Sequence, residues 1–440
     1  MDILGKKFVM QAAFDKAFGI AAKGGTNIAL QHVSATVDDH RMKMIGSDGE
    51  LSIIVSCDQL DINEPGDVLF SSSIHDIIKL CADTDIHIYT NETSIFVECA
   101  EAFFEIRKEY LEYPYIDDAH ENTIEVPKEA LQNAIQKCRP AITSDSIRQS
   151  FTFIQVKDSK MRATDGSKCH QVSFPYPVEA LIPQRAIADI LRRIRTMAME
   201  NVSIGNTDHS ETFKFDNDLL IITKHTVDYP DVDSHIIEPA SKNNLKLSVE
   251  RKRLIEAVKR ISQTADEETH YLTLELEPSR LVLSSMDKYG SNSKETLDVS
   301  WDEGSRKIGV NHLYLRDVLS VIDTPDVDIT LGEDEPMKLS SLCFRQESFI
   351  GVLMQLRPDL GQALQGSDKV RPAQQAPVGW GDSGLTAGDS TQGGRRTRAR
   401  LSESDRIEAE DLESVLETDD DDEDSYGSPG ARAMDDMDGF

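Results

Sequence analysis

The chain has 440 residues, of which 47 are Lys or Arg and 78 are Asp or Glu, so its formal net charge is −31. A surface this acidic repels nucleic acid in general, and a DNA-binding role would need a local concentration of basic residues. The six cysteines show no zinc spacing, and no apolar run approaches membrane-spanning length. These features predict reduced thiols, a cytoplasmic location and no membrane partner.

Taken in chain order, the predicted elements repeat three times. Apolar residues at helical spacing predict helices near residues 14–21 and 74–81, then 127–139 and 183–199, then 248–263 and 315–322. Alternating runs such as DIHIYTNETSIFVECA predict antiparallel hairpins between them. The fold class is therefore α+β, with three repeated domains that each pack two helices on an antiparallel sheet.

The repeat also sets the expected domain boundaries. We expect domains at residues 1–125, 126–244 and 245–358, followed by a segment of different character at 359–440. That last segment is rich in Gly, Gln, Ser and Pro and holds 20 acidic and 8 basic residues. Because it carries too little apolar surface to offset its ordering entropy, it is predicted to be a disordered acidic tail.

An aspartate marks the same point in each repeat, after a short apolar run. These residues are Asp48, Asp165 and Asp287. A nuclease could use such aspartates on a metal ion, but equivalent positions in three repeats should lie far apart, so we expect them to cap turns. The sequence contains no P-loop, HExxH, GxSxG or Rossmann glycine pattern. We therefore expect no catalytic residue, no enzyme activity, no cofactor and no metal site.

The helices of the second and third repeats are basic although the chain is acidic. One interpretation is a solvated face that serves solubility, and the other is a surface opposite DNA phosphates. The candidate DNA contacts on these helices are Lys128, Lys137, Arg139, Arg192, Arg193, Arg195, Arg251, Lys252, Lys259 and Arg260.

Five stretches carry a resemblance to a known family. EPGDVLF, MRATDGSK, YPDVDSHII, IGVNHLYLRDVL and SFIGVLMQLR occur in family order, and over residues 1–357 the chain resembles the bacterial-type DNA polymerase III beta subunits, which are DNA sliding clamps. The resemblance implies a homodimeric ring of DNA-clamp domains that encircles double-stranded DNA and confers processivity on the replicative DNA polymerase. It also implies Lys23, Arg148 and Gln149 as DNA contacts, and a clamp loader as a further partner.

The family binds its partners through a short linear motif that enters an apolar pocket between the second and third domains. By position, the pocket would be built from Phe151, Thr164, Gly166, Lys168, Cys169, Pro230, His235, Leu339, Ser341, Val352, Met354, Leu356 and Arg357. The resemblance places the dimer interface at Phe104, Ile106 and Ile261. Cys169 and Ser234 depart from the family pattern, so we expect the preferred motif to differ from that of the family.

Two alternatives stay open at this stage. A monomeric, acidic interaction scaffold could keep the clamp fold without the ring, because closure depends on few residues. The tail is an addition to the family, and it could either stay passive or occupy the pocket in cis. The residues do not decide between a cellular and a viral gene.

Overall fold

The computed structural model describes residues 1–332 and 341–356. The predicted tail and the pocket residues Leu339 and Arg357 lie outside the described residues. The fold is α+β with antiparallel sheets, which confirms the fold class expected from the sequence.

Residues 1–125 contain the first set of elements. The helices are α1 (Lys7–Phe18) and α2 (Ser72–Leu80). The strands are β1 (Asp2–Lys6), β2 (Val33–Val37), β3 (Met42–Ser47), β4 (Leu51–Cys57), β5 (Asp61–Glu64), β6 (Gly66–Phe70), β7 (Asp85–Thr90), β8 (Ser94–Cys99) and β9 (Ala102–Arg107).

The next set of elements, from residue 124 to residue 244, repeats this order around a second pair of helices. These are α3 (Lys128–Cys138) and α4 (Gln184–Thr196), and a short α5 (Glu238–Ser241) follows them. The strands are β10 (Ile124–Pro127), β11 (Phe153–Lys157), β12 (Lys160–Thr164), β13 (Lys168–Ser173), β14 (Ala180–Pro183), β15 (Asn201–Asn206), β16 (Ser210–Phe215) and β17 (Asp218–Thr223).

The remaining described residues repeat the order once more. The helices are α6 (Arg251–Ile261) and α7 (His312–Ser320). The strands are β18 (Leu245–Glu250), β19 (Tyr271–Glu277), β20 (Arg280–Met286), β21 (Asn292–Asp298), β22 (Arg306–Asn311), β23 (Asp326–Leu331), β24 (Ser341–Arg345) and β25 (Phe349–Met354).

Two helices are shorter than the sequence predicts. Helix α4 ends at Thr196 rather than Met199, because the carboxylate of Asp216 accepts hydrogen bonds from the N–H groups of Ala198 and Met199 at 3.0 Å each. Helix α6 begins at Arg251 rather than near residue 248, because the preceding residues pair with β23 as strand β18. In both cases a contact distant in sequence overrides the local helical pattern.

Each first helix packs closely on its sheet. Helix α1 lies on β3 and β4, α3 on β12 and β13, and α6 on β20 and β21. At Gly46 of β3 an added Cβ would lie 2.0 Å from the carbonyl oxygen of Ala17, so only glycine fits beneath α1. The apolar faces are buried, as shown on α4 by Ile187, Ile190 and Ile194.

Two sheets cross from one repeat to the next. The sheet orders are β5-β1-β7-β8-β9, β10-β15-β16-β17-β4-β3-β2-β6, β14-β11-β12-β13-β25-β24-β23-β18 and β21-β20-β19-β22. Strand β17 pairs with β4, from Leu219 opposite Ile54 to Ile222 opposite Leu51. Strand β13 pairs with β25 in the same antiparallel sense. Backbone hydrogen bonds therefore join the second repeat to both of its neighbours.

The six long helices form one row beside the sheets. Helix α1 packs on α2, α3 on α4, and α6 on α7. Between repeats, the end of α1 at Gly19 adjoins Arg192 of α4, since an added Cβ would lie 3.7 Å from its Nη1. The ammonium of Lys137 on α3 lies 2.6 Å from the carboxylate of Asp323, just after α7. The row therefore runs α2-α1-α4-α3-α7-α6.

Candidate DNA-facing surface and partner pocket

The three repeated aspartates cap turns, which confirms the structural interpretation. In each, one carboxylate oxygen accepts hydrogen bonds from two backbone N–H groups of the turn that follows. The groups are Asp48 with Glu50 and Leu51, Asp165 with Ser167 and Lys168, and Asp287 with Tyr289 and Ser291, all at 2.8–2.9 Å. Among residues 1–332 and 341–356, no cluster of three or more His, Cys, Asp and Glu side chains is arranged to hold a metal ion.

Helix α4 presents two of its three predicted DNA contacts. Arg192 and Arg195 are exposed, and Arg192 is 63% exposed even though its Nη1 lies 3.0 Å from Asp189. Arg193 is buried instead, at 5% exposure, beside Asp218, with 3.6 Å between Nη1 and the carboxylate. The structure therefore does not present Arg193 to a phosphate.

Lys137 is the second predicted DNA contact that is buried in the structure. Its residue exposure is 7%, and its ammonium is paired with Asp323 across the boundary between the second and third repeats. Its position on the polar side of α3 predicted a solvent-exposed charge. The third repeat covers this side of the helix, and the spacing of residues along α3 does not reveal that contact. Lys137 is better described as a residue that holds α3 to the segment after α7.

Helix α6 carries the most accessible basic face. Lys252 and Lys259 are exposed and form no ion pair within the described part of the chain. Arg260 is exposed but donates to both carboxylate oxygens of Glu295, at 3.0 and 2.6 Å, so much of its charge is compensated. Arg251 is half-buried, and its Nε donates to the carbonyl of Leu319 at 3.1 Å.

The remaining predicted contacts lie on loops and helix ends. Lys23, Arg148 and Gln149 are exposed, and Lys128 and Arg139 are half-buried. Arg148 extends over the second Asp turn, where its Nη1 donates to the carbonyl of Asp165 at 3.4 Å. Lys128 begins α3, Arg139 follows its last residue, and Lys23 lies five residues after the end of α1.

The predicted partner pocket is mostly closed. Thr164, Lys168, Cys169 and Val352 are buried. Cys169 and Val352 lie directly opposite each other on β13 and β25. They pack with Cys343, Val232, Ile237 and Ala240 in a small apolar cluster. Burial raises the pKa of the Cys169 thiol, so this side chain is a neutral apolar group.

The accessible part of the pocket is its rim. Met354 is 36% exposed, and Gly166 and His235 are exposed. Phe151, Pro230, Ser341 and Leu356 are half-buried. Gly166 has φ of +88°, in the left-handed region that favours glycine, and its position lies against the ring of Phe151. The ammonium of Lys168 pairs with Asp317 and lies 4.7 Å from the ring centroid of Tyr314.

A surface depression of about 400 Å³ lies at the other end of the same strand pair. Its lining includes Lys160, Gln171, Arg345 and Ile350. Its lining pair Gln171 and Ile350 lies two pairing positions from Cys169 and Val352, and the depression shares no residue with the predicted partner site.

The three residues predicted for the dimer interface differ in burial. Phe104 and Ile106 are half-buried on β9, which ends its sheet. Ile261, the last residue of α6, is buried at 3% exposure in the core beneath β20 and β21. Ile261 is therefore not accessible at the surface of the single chain, unlike Phe104 and Ile106.

The sequence reasoning missed the strands that join the repeats. Strand β4 reads LSIIVSC and β17 reads DLLIIT, and both are apolar with little alternation. Such a run is typical of a strand that lies inside a sheet and is covered on both faces. Ion pairs also cross this junction, such as Lys16 with Asp218 at 2.6 Å and Arg185 with Asp48. The spacing of charged residues along the sequence does not predict these pairs.

Comparison with known proteins gives one consistent result. The family model for the C-terminal domain of the DNA polymerase III beta subunit matches residues 238–355. The beta sliding clamp of Pseudomonas putida is 23% identical over 335 residues, which covers 73% of this chain and 90% of that protein. The beta sliding clamp of Caulobacter vibrioides is 23% identical over 354 residues, covering 74% and 93%.

Solved structures share the fold. The DNA polymerase III subunit beta of Pseudomonas aeruginosa matches with a TM-score of 0.73 at 19% identity, covering 81% of this chain and 100% of that one. The polymerase III beta of Caulobacter crescentus matches with a TM-score of 0.74 at 20% identity, covering 81% and 100%. All helices within the described residues are too short or too polar to cross a membrane. The family match of the C-terminal segment, the relatives and the shared fold all point to the bacterial-type beta sliding clamps of DNA polymerase III.

Proposed function

We propose that two copies of this chain close head to tail into a ring that encircles duplex DNA and keeps a replicative DNA polymerase on its template. The observation that carries the proposal is a repeated strand junction that is made twice within the chain and is available for a third use. This role needs no catalytic residue, cofactor or metal, and as part of DNA replication it belongs in the cytoplasm. Domains at 1–125, 126–244 and 245–358 are part of the proposal.

The two internal junctions use equivalent strands. Strands β4 and β13 each begin three residues after a capping aspartate. Their partners β17 and β25 are each the second strand of a hairpin. The first strand of each hairpin begins at a serine, with Ser210 of β16 opposite Thr223 of β17 and Ser341 of β24 opposite Met354 of β25. Each junction therefore joins the strand after the Asp turn of one repeat to the last strand of the next.

The same two strand types remain at the ends of the chain. Strand β21 follows Asp287, and β9 ends the hairpin in which Ser94 lies opposite Arg107. Both end their sheets within the described residues. If the internal register is kept, Ser291 of one chain lies opposite Ile106 of the partner subunit. A second copy would then complete the junction and close the ring.

The DNA side of the proposed ring is the helix row. The exposed members of the predicted set are Lys23, Arg148, Gln149, Arg192, Arg195, Lys252, Lys259 and Arg260. Lys128, Arg139 and Arg251 are half-buried and could add contacts through their ends, and Arg260 is partly compensated by Glu295. A ring holds DNA by topology, so weak phosphate contacts suffice and sequence readout is not required.

Partner recruitment is proposed at the pocket rim. Met354, Pro230 and His235 offer apolar and polar groups to a short linear motif, as a binding groove requires. The buried floor at Cys169 and Val352 supports the rim from below. The expected occupants are segments of a replicative DNA polymerase, a clamp loader and other proteins with clamp-binding motifs.

The test of ring closure is the native mass of the full chain at micromolar and nanomolar concentrations. Phe104→Arg places a charge on the half-buried face of β9 and should give a monomer, because an unpaired charge in an interface is strongly unfavourable. Phe103→Arg is the matched control, since Phe103 is 57% exposed on the other face of the same strand, and it should leave the dimer intact. A monomeric wild-type chain at both concentrations would refute the ring and favour the interaction scaffold.

The test of encirclement is retention on closed circular DNA compared with the same DNA after linearisation. A ring should stay on the circle at high salt once it has been loaded, and it should slide off the linear form. Equal retention on both forms would contradict topological binding.

A further inference from the structure

We propose that one exposed sheet face of the first repeat binds an arginine-rich extended segment of a partner protein. The face belongs to the sheet β5-β1-β7-β8-β9 and is the side turned away from the core. It is called the aromatic face here and is defined by three rings and two carboxylates, those of Tyr89, Phe96, Phe103, Glu98 and Glu105. The predicted partner pocket lies between the second and third repeats, so the two surfaces are separate.

Alternation along the strands puts the three rings on one side of the sheet. Ile88 on β7 and Val97 on β8 are fully buried, so their strand neighbours Tyr89 and Phe96 point away from the core. The ring centroids of Tyr89 and Phe96 are 4.9 Å apart, and those of Phe96 and Phe103 are 5.8 Å apart, with interplanar angles of 20° and 30°. Phe103 ends this row on the edge strand β9 and is 57% exposed. A continuous row of rings that ends at an exposed one is typical of an interaction surface.

Two carboxylates flank the exposed ring. Glu98 lies directly opposite Phe103 in the pairing of β8 with β9, and Glu105 follows Phe103 by two residues on the same face. Within residues 1–332 and 341–356, neither carboxylate forms an ion pair with Lys or Arg. Nδ1 of His87 lies 3.7 Å from Glu98, and Arg107 follows Glu105 by two residues without pairing with it. A cationic occupant would therefore gain contacts here without breaking an existing Lys or Arg pair.

Hydroxyl groups hold both carboxylates in position. The Tyr89 hydroxyl donates to Oε1 of Glu98 at 2.8 Å, and the Ser94 hydroxyl donates to Oε1 of Glu105 at 2.8 Å. In each carboxylate the other oxygen is left to accept from an occupant. Asp2 on β1 lies opposite Tyr89 and adds a third carboxylate to the face. Because the acceptors are already oriented, binding a cation costs little further side-chain entropy.

Arginine fits this face better than lysine. A guanidinium group stacks on an aromatic ring and donates parallel N–H groups to a carboxylate, whereas an ammonium is a strongly hydrated point charge. Side chains directly opposite each other on paired strands have Cβ atoms about 5 Å apart, and alternate residues of one strand are roughly 7 Å apart. A guanidinium over Phe103 is therefore within reach of both Glu98 and Glu105.

An extended segment matches the spacing of the face. Alternate residues of such a segment point the same way at about 7 Å intervals, which is the repeat of the strand beneath it. Nucleic acid does not suit this face, because its phosphates would meet three carboxylates. A second copy of this chain that pairs along β9 is the competing occupant.

The first test measures binding of a labelled peptide of alternating Arg and Thr to the full chain at about 50 mM salt. We expect the affinity to fall about tenfold in Glu98→Gln, Glu105→Gln, because charge-assisted contacts are lost. The matched control is Asp302→Asn, Glu303→Gln, which removes the same charge from an exposed loop before β22 and should leave the affinity unchanged. No binding up to millimolar peptide, or an equal loss in both double variants, overturns the proposal.

The second test separates stacking from charge. Phe103→Leu keeps an apolar side chain without a ring and should weaken binding of the arginine peptide about threefold. Tyr289→Leu changes an 84% exposed tyrosine of the third repeat and is the control that should have no effect. A peptide of alternating Lys and Thr should bind the natural chain more weakly than the arginine peptide. Unchanged binding in Phe103→Leu, or equal affinity for the two peptides, overturns the assignment of the aromatic face to arginine.

The Phe104→Arg variant distinguishes a partner segment from a second copy. Equal peptide binding by the natural chain and by Phe104→Arg supports the proposal, whether or not the proposed ring forms. Binding by Phe104→Arg alone would show that a second copy covers the face in the natural chain, and it would overturn the proposal while leaving the ring intact.

Discussion

His170 should make the stability of this protein fall in mild acid. The residue is fully buried on β13, opposite Gly351 of β25, at the junction of the second and third repeats. One ring nitrogen, Nδ1, lies 2.7 Å from the carbonyl oxygen of Lys137 and donates to it. The other, Nε2, has no hydrogen-bond partner and faces apolar surroundings that include Phe349.

The magnitude follows from the change in protonation on unfolding. Burial lowers the pKa of His170 from 6.5 to about 4, so the folded chain keeps the ring neutral where the unfolded chain would protonate it. The unfolded state binds more protons between these values, and stability is therefore lost as pH falls from about 6.5 toward 4. Between pH 8 and pH 5 the expected loss from this residue is about 2 kcal/mol.

The assay is urea denaturation followed by circular dichroism at pH 5, 6, 7 and 8. His170→Gln keeps a donor for the Lys137 carbonyl but does not titrate, so its loss of stability between pH 8 and pH 5 should be about 2 kcal/mol smaller than that of the natural chain. His209→Gln, on an exposed turn, is the control and should follow the natural chain. If His170→Gln shows the same pH dependence as the natural chain, the reasoning about the buried ring is wrong.

Three further predictions concern the same core and its junctions. Burial raises the pKa of Glu211 to about 7, so its ionised carboxylate destabilises the fold as pH rises above about 4.5. Glu211→Gln should therefore raise the free energy of unfolding by about 3 kcal/mol at pH 8 and by little at pH 4, as measured by urea titration. Leu353→Ala empties a fully buried position on β25 and should cost roughly 2–4 kcal/mol by the same assay, and a cost below about 1 kcal/mol would show that the junction repacks. Asp165→Ala removes the acceptor of two backbone N–H groups and should lower the free energy of unfolding by about 1–3 kcal/mol. Added Mg²⁺ should change the stability of the natural chain and of the variant equally. A larger effect of Mg²⁺ on the natural chain would indicate a metal-binding role for Asp165.

The sequence was sufficient to predict the parts of the fold that depend on local pattern. The run DIHIYTNETSIFVECA forms the hairpin of β7 and β8, and YLTLELEPSRLVLSS forms that of β19 and β20. These strands alternate because one face is buried, and the turns between them are polar. The same reasoning found both helices of every repeat, since each carries an apolar stripe at helical spacing.

Burial of charged side chains could not be predicted in this way. Lys137 and Arg193 both lie on the polar sides of amphipathic helices, as exposed cations do. They are covered by residues more than twenty positions away, Asp323 in one case and Asp218 in the other. A helical wheel records only neighbours on the same helix, so it cannot separate a charge that faces solvent from one that faces the next repeat.

The accessibility of the partner-pocket residues could not be predicted from the sequence either. The resemblance supplied its positions, but not which of them would be accessible. Cys169 and Val352 are adjacent on β13 and β25 and are covered by the segment that contains Val232 and Ile237. Accessibility there depends on how one chain segment lies over a sheet built from two repeats, and no single stretch of sequence encodes that.

Strand pairing at the junctions bears on how this chain could diverge and be recombined. At β17 with β4 and at β13 with β25, the connection is made by main-chain groups that every non-proline residue possesses. Side chains at these positions can therefore be exchanged over generations as long as the register is kept. A whole repeat taken from a distant homologue should then graft onto its neighbours, and viable chimeras should be found with crossover points in the linkers rather than inside the sheets.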